Sequence, residues 1–170
     1  SVNYSGPYFM NNNNAILYAL GAIKNVGIES MKDLFNERTK NGMFKDLNDF
    51  INRCNNSIIN KKTIEALSCA GAFDEFKINR AAIFNQASEI VKYHKSLKNS
   101  TLNSQKDMFS ETTLSNFQLL NDEEWKHSYK LMKEYEILGF YLSGHPLEIH
   151  KNNYNSFLLK EYIQIKGNPD

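Results

Sequence analysis

A mainly α domain, a helical bundle with a small N-terminal β-hairpin, is the fold class this 170-residue sequence predicts. Three observations predict it. Apolar residues recur at helical spacing in four successive segments between Ile28 and Val91, and again from Trp125. Gly-containing turns, "IKNVGIE" and "CAGAFDE", separate helical segments. Near the start, "YFMNNNNAILYAL" sets two short apolar runs about four asparagines.

Each element follows from local chemistry. Asn tolerates left-handed backbone, so Asn11–Asn14 read as a hairpin connection, although "AILYAL" is equally compatible with helix. Ile28, Met31, Leu34 and Phe35 share a helical face, with Gly42 as the stop. Leu47, Phe50, Ile51 and Cys54 repeat the pattern behind Asp46 as N-cap. Ile64, Leu67 and Ser68 mark a third helix ending at Gly71. Asn79 caps a fourth, with Ile83, Ala87, Ile90 and Val91 as its buried stripe. Periodicity is lost from Lys95 to Phe117. It returns at Asp122, where two acids suit a helix N-terminus, and runs through Trp125, Tyr129, Met132 and Leu138 until Gly144 and Pro146 stop it.

Composition bounds the function. Hydrophobic residues make up 41% and charged residues 23%, enough for a globular core. A net charge of +1 excludes a strongly basic chain, so any nucleic-acid contact rests on a local patch or on backbone groups. Lys outnumbers Arg 17 to 3 and Asn occurs 23 times, a bias that AT-rich codons explain. Single lysines therefore carry little weight. Cys54 and Cys69 lack metal-ligand spacing and read as buried thiols of a reducing cytoplasm. Neither a signal peptide nor a membrane span is visible. His94, His127, His145 and His150 form no ligand pattern, so no metal and no catalytic residue is expected. The chain opens at "SVNYSGPYF" without an initiator Met and reads as a piece of something larger.

The two Gly turns have the form of a helix–hairpin–helix element. A Gly lets backbone approach a phosphate, and the next helix N-terminus offers unpaired N–H groups with partial positive charge. Such contacts hold duplex DNA without reading its sequence. The residues expected to make them are Lys24, Asn25, Val26 and Gly27 in the first turn and Ala70, Gly71 and Ala72 in the second, with Lys61, Lys62 and Arg80 beside them. The competing reading makes each Gly a helix C-cap and nothing more. A glycosylase-lyase is not expected, because Ile28-Glu29-Ser30 follow Gly27 where such enzymes carry a Lys. In the polar stretch "LNSQKDMFSE", Gln105, Asp107, Met108 and Phe109 form a short peptide of the kind that docks on another protein.

Taken together, "LYALGAIKNVG", "FKDLNDFINRC", "NKKTIEALSCAGAFD", "NRAAIF", "SQKDMF" and "EYEILGFYLSGHPL" resemble the α subunit of bacterial DNA polymerase III, the C-family replicative polymerase. They occur in the family's order over roughly residues 1–150. Asn25 stands where the family often has Gly, and Lys106 fills a variable place. The resemblance implies the end of the fingers and a β-hairpin over 1–20 and a tandem helix–hairpin–helix region over 21–94. It implies a linker with a clamp-binding loop over 95–121, a C-terminal helix over 122–150 and a lead-in to an oligonucleotide-binding domain over 151–170. It implies primer-template duplex and the β sliding clamp as partners, the latter through Gln105–Phe109. Other holoenzyme subunits would bind elsewhere, and the setting would be the cytoplasmic replication fork, with no membrane. The Mg²⁺-binding carboxylates of the palm would lie upstream, so this stretch itself is expected to hold no cofactor. A helix–hairpin–helix scaffold of a repair complex, without a clamp, is the alternative from another class, and a plain helical interaction domain is a third.

Overall fold

A computed structural model describes residues 1–12, 15–103 and 116–150. Strands β1 (Met10–Asn12) and β2 (Ala15–Leu17) pair antiparallel, with Met10 opposite Leu17 and Asn12 opposite Ala15. Asn11 and Asn12 are thus strand residues, and only two residues connect the strands, as in the commonest hairpins. Among the described residues six α-helices follow: α1 (Ile28–Asn41), α2 (Leu47–Arg53), α3 (Lys61–Cys69), α4 (Arg80–Asn85), α5 (Ala87–Asn103) and α6 (His127–Leu138).

The caps are local and largely as the sequence predicts. Asp46, Asn60 and Asn79 accept the N–H of Asp49, Thr63 and Ala82 at 2.8, 3.0 and 3.1 Å, opening α2, α3 and α4. Gly42 (φ 82°) closes α1. One core unites the helices: Met31, Leu34, Phe50, Ile51, Ile64, Leu67, Phe73, Ile83 and Ile90 are buried together. Phe44, Phe50 and Phe73 meet edge to face with centroids 5.2 and 5.1 Å apart. His94 is also buried, its ring bridging the Ile51 carbonyl at 2.9 Å and the Asn56 side chain at 3.0 Å.

Four expectations are corrected. The helix expected from Asn79 is interrupted at Gln86 (φ −99°, ψ 12°) and resumes as α5. It then runs to Asn103, so Lys95–Asn103 is helix and not linker. Leu97 keeps the helical register there by packing on the core. The last helix begins at His127, not Asp122, because the acids before it serve α4: Glu124 accepts the Arg80 N–H at 3.2 Å. Its stop is Gly139 (φ 81°), ahead of Gly144 and Pro146.

Between Asn116 and Lys126 the chain lies along the helices as a strap. Two carboxamides hold it. Asn48 donates to the Phe117 carbonyl at 3.2 Å and accepts the Phe117 N–H at 2.8 Å. Gln86 does the same for Leu120 at 2.8 and 2.9 Å. Asn3 grips Phe44 in the same way, at 2.9 and 2.8 Å. Each amide side chain acts as one rung of a β-ladder where no neighbouring strand exists. Trp125 anchors the far end of the strap edge-on to Phe84, centroids 5.3 Å apart.

Arg80 joins these parts. Its guanidinium donates to both Asp74 oxygens, to the Cys69 carbonyl at 3.3 Å and to Glu134 at 2.8 Å. Its own carbonyl accepts the Ser68 hydroxyl at 2.7 Å. Glu134 is buried in α6 and also accepts the backbone N–H groups of Leu142 and Ser143, both at 2.8 Å, and the Ser143 hydroxyl. Burial opposes both charges. The Asp74 and Glu134 bonds outweigh it for Arg80, whose pKa is raised, and the Ser143, Arg80 and Leu142 bonds outweigh it for Glu134, whose pKa is lowered.

Removing one partner of such a pair strands the other charge in the interior. Arg80→Met is expected to cost about 3–5 kcal/mol. Adding Glu134→Gln to it should recover part of that loss. Equilibrium urea unfolding of the two variants checks both; a double variant no more stable than the single one contradicts the assignment.

Candidate nucleic-acid interface

The structure separates the two turns that the sequence makes look alike. In the first, the Val26 N–H donates to the Ile23 carbonyl at 3.1 Å and closes a four-residue turn. Asn25, third in that turn, has φ 68°. It is the left-handed residue that the substitution of Gly by Asn leads one to expect. Gly27 (φ −76°, ψ 131°) is the N-cap of α1 and brings no side-chain cap. Lys24, Asn25, Gly27 and Ile28 are exposed, whereas Val26 points into the core. The turn is fixed from behind by the Lys24 N–H, which donates to the Ile137 carbonyl of α6 at 3.1 Å.

The second turn is a helix C-cap. The Gly71 N–H donates to the Ser68 carbonyl at 3.0 Å and the Ala72 N–H to the Leu67 carbonyl at 2.9 Å, the paired bonds of a Schellman motif. Gly71 has φ 68°, and a Cβ there would overlap the Arg80 guanidinium. Ala70 and Ala72 are buried, and the Ala72 carbonyl accepts the Val2 N–H at 2.9 Å. No α-helix starts directly behind this turn: a 3₁₀ turn, Asp74–Phe76, follows and places two acids there. The expectation that Ala70, Gly71 and Ala72 face a phosphate is therefore corrected. Their amides are spent and their surroundings are acidic. The same holds for Arg80, expected to bind DNA but buried and committed to Asp74 and Glu134.

Of the expected lysines, Lys62 stands beside the first turn. It lines a cleft of about 190 Å³ together with Asn25, Cys69 and residues of α6. Lys61 is exposed on the same turn of α3 and pairs with Glu65 at 3.7 Å. Sequence reasoning missed Lys133 and Glu136, which line that cleft from α6. Their (i, i+3) spacing marks a surface pair, but nothing local connects them to Asn25. Burial pushes the Cys69 thiol up to about 12, so it is an inert wall of the cleft. Gln105, Asp107, Met108 and Phe109 lie outside the described residues, as do residues 151–170. Among the described residues no group of three His, Cys, Asp or Glu side chains is placed to hold a metal, and no helix is long and apolar enough to cross a membrane.

The helix-hairpin-helix motif family matches residues 1–83, a span that contains both turns. The chain is 40% identical over 148 residues to DNA polymerase III subunit alpha of Caulobacter vibrioides, covering 86% of this chain and 13% of that protein. It is 40% identical over 138 residues to the subunit of the same name from Campylobacter jejuni, covering 79% of this chain and 11% of that protein. Against the Treponema pallidum subunit it is 34% identical over 154 residues, covering 89% and 13%. Over most of its length this chain is similar to a stretch of the DNA polymerase III α subunits. It spans only about an eighth of the length of these relatives. The described residues are mainly helical, and the span matched by the helix-hairpin-helix family includes the small antiparallel hairpin as well as α1, α2 and α3.

The left-handed Asn25 yields a test of the turn itself. A β-branched residue there is expected to destabilise the domain by about 1–2 kcal/mol, whereas Asn25→Gly should stay within about 0.5 kcal/mol of the native chain. Thermal unfolding of Asn25→Val and Asn25→Gly measures the difference.

Proposed function

We propose that this segment holds duplex DNA by its phosphate backbone at the first hairpin, Lys24–Gly27, and there alone of the two. One observation carries the reading. A Cβ at Gly27 would meet only the Ser30 hydroxyl, at 3.4 Å, and the φ of −76° suits any residue. Among the described residues nothing requires Gly at this position, unlike Gly71. The missing side chain leaves room for an approach from outside, to the uncapped N–H groups that open the 14-residue helix α1. Lys24 and Lys62 add charge on either side. Backbone amides supply most of the contact, which fits a chain of net charge +1.

The docking peptide Gln105-Lys106-Asp107-Met108-Phe109 would tether the polymerase to the β sliding clamp. Burying Met108 and Phe109 contributes about 1.5–3 kcal/mol each, against about 2–5 kcal/mol to order the segment. The peptide by itself then binds weakly. Duplex threaded through the clamp raises the effective concentration to roughly millimolar, so two weak contacts act together and support processive synthesis. Nucleotidyl transfer with Mg²⁺, the activity expected of the whole polymerase, would be carried outside this segment.

Gly27→Asp separates binding from folding. Asp is a better N-cap and favours the α1 dipole, so it should leave stability unchanged or raise it by up to about 1 kcal/mol. It should abolish duplex binding by placing an anion where the phosphate sits. Fluorescence anisotropy with a labelled duplex reads the second effect, and native affinity in that variant would refute the hairpin site. For the clamp, Met108→Ala with Phe109→Ala is expected to eliminate retention on immobilised β clamp while the unfolding midpoint stays native. Retention of the double variant would assign clamp contact to another surface, and a native chain that binds duplex but no clamp would favour the repair-scaffold alternative.

A further inference from the structure

The cleft beside the first hairpin holds a cation that no local sequence signal pointed out. Lys133 of α6 and Lys62 of α3 both line it, with Asn25 and the two acids Glu65 and Glu136. The Lys133 ammonium lies 5.7 Å from the Phe84 ring centroid and 5.4 Å from that of Tyr129, and 2.9 Å from Glu136. Two aromatic faces and a carboxylate thus hold a long, otherwise mobile side chain in one place. Its pKa is raised, by the hydrogen bond to Glu136 first. An ammonium has three N–H donors, and the Glu136 bond uses one of them. The others are left for an oxygen anion entering the cleft that Lys133 shares with Asn25.

We infer that Lys133 makes a second phosphate contact on the duplex strand held by the first hairpin, with Glu136 as the residue that positions its ammonium and at the same time limits affinity. This rests on the hairpin reading above. Charge-assisted N–H to phosphate bonds are the strong class, and a pre-oriented Lys loses little side-chain freedom in making one. Glu136 is half-exposed, so its charge repels the same phosphate across the cleft. Affinity is thereby held below what the lysines alone would reach, which suits a segment that must travel along DNA.

The experiment is duplex binding by the 170-residue chain over a salt series, in native, Lys133→Met, Lys133→Arg and Glu136→Gln forms. Met keeps an apolar stem on Phe84 and Tyr129 and removes only the charge. Lys133→Met is expected to lower the slope of log affinity against log salt by about 0.9, the loss of one phosphate contact. Lys133→Arg should keep the native slope, and Glu136→Gln should bind more tightly at every salt concentration. A native slope in Lys133→Met overturns the second contact. Should that variant fail to fold, unchanged affinity in Glu136→Gln overturns it instead. Gly27→Asp, run in parallel, tells the two readings apart: if it abolishes binding while Lys133→Met is native, the hairpin site stands without Lys133; if it binds as native, both fall.

Discussion

The Arg80 guanidinium is the joint on which the rest of the molecule turns. It lies at the start of α4, yet its donors end on the last carbonyl of α3, on the acid that follows the second hairpin and on a carboxylate buried in α6. Its main chain is used as fully, through Ser68 and Glu124. A charge this deeply buried is tolerable only with each of its nitrogens matched, and matching them positions three helices at once. Glu134 repeats the arrangement from the other side, fixing the loop through Leu142 and Ser143. Because α6 is placed by that pair, its final carbonyls can receive the Lys24 N–H and set the first hairpin. The exposed turn is thus held from behind by a network centred on two buried charges, Arg80 and Glu134.

This explains why two similar turns diverge. Gly71 is Gly because Arg80 occupies the space a side chain would need and because the chain reverses there with positive φ. Gly27 has neither reason. One glycine is demanded by the interior, and the other leaves room for a contact from outside. The distinction is physical and local, but it depends on what each Cβ would meet, which is a tertiary question.

Irregular segments are held by an equally economical device. Asn3, Asn48 and Gln86 each match both main-chain groups of one residue on a neighbouring segment. The abundance of Asn has a codon-level cause, yet these side chains substitute for sheet pairing in a fold that has almost none. Asn48 and Gln86 draw Asn116–Lys126 onto the helices, so that what reads as the end of a linker is a fixed strap.

The amino-acid sequence by itself determined the helical class, a chain reversal at the asparagines, the caps at Asp46 and Asn79, the stop at Gly42 and the left-handed Asn25, since each rests on the intrinsic conformational or hydrogen-bonding preference of one residue and its near neighbours. The kinship with polymerase III α was legible too, because it lies in ordered motifs. Tertiary structure decided what those residues face. It took Arg80, Ala70 and Ala72 out of reach of a phosphate, since burial and pairing depend on elements distant in sequence. It turned Glu124 from an acid of its own helix's first turn into a partner of α4, and carried α5 through a stretch where the apolar stripe thins to Leu97. It also brought Lys133 beside Asn25, a juxtaposition that only the packing of α6 against α3 creates.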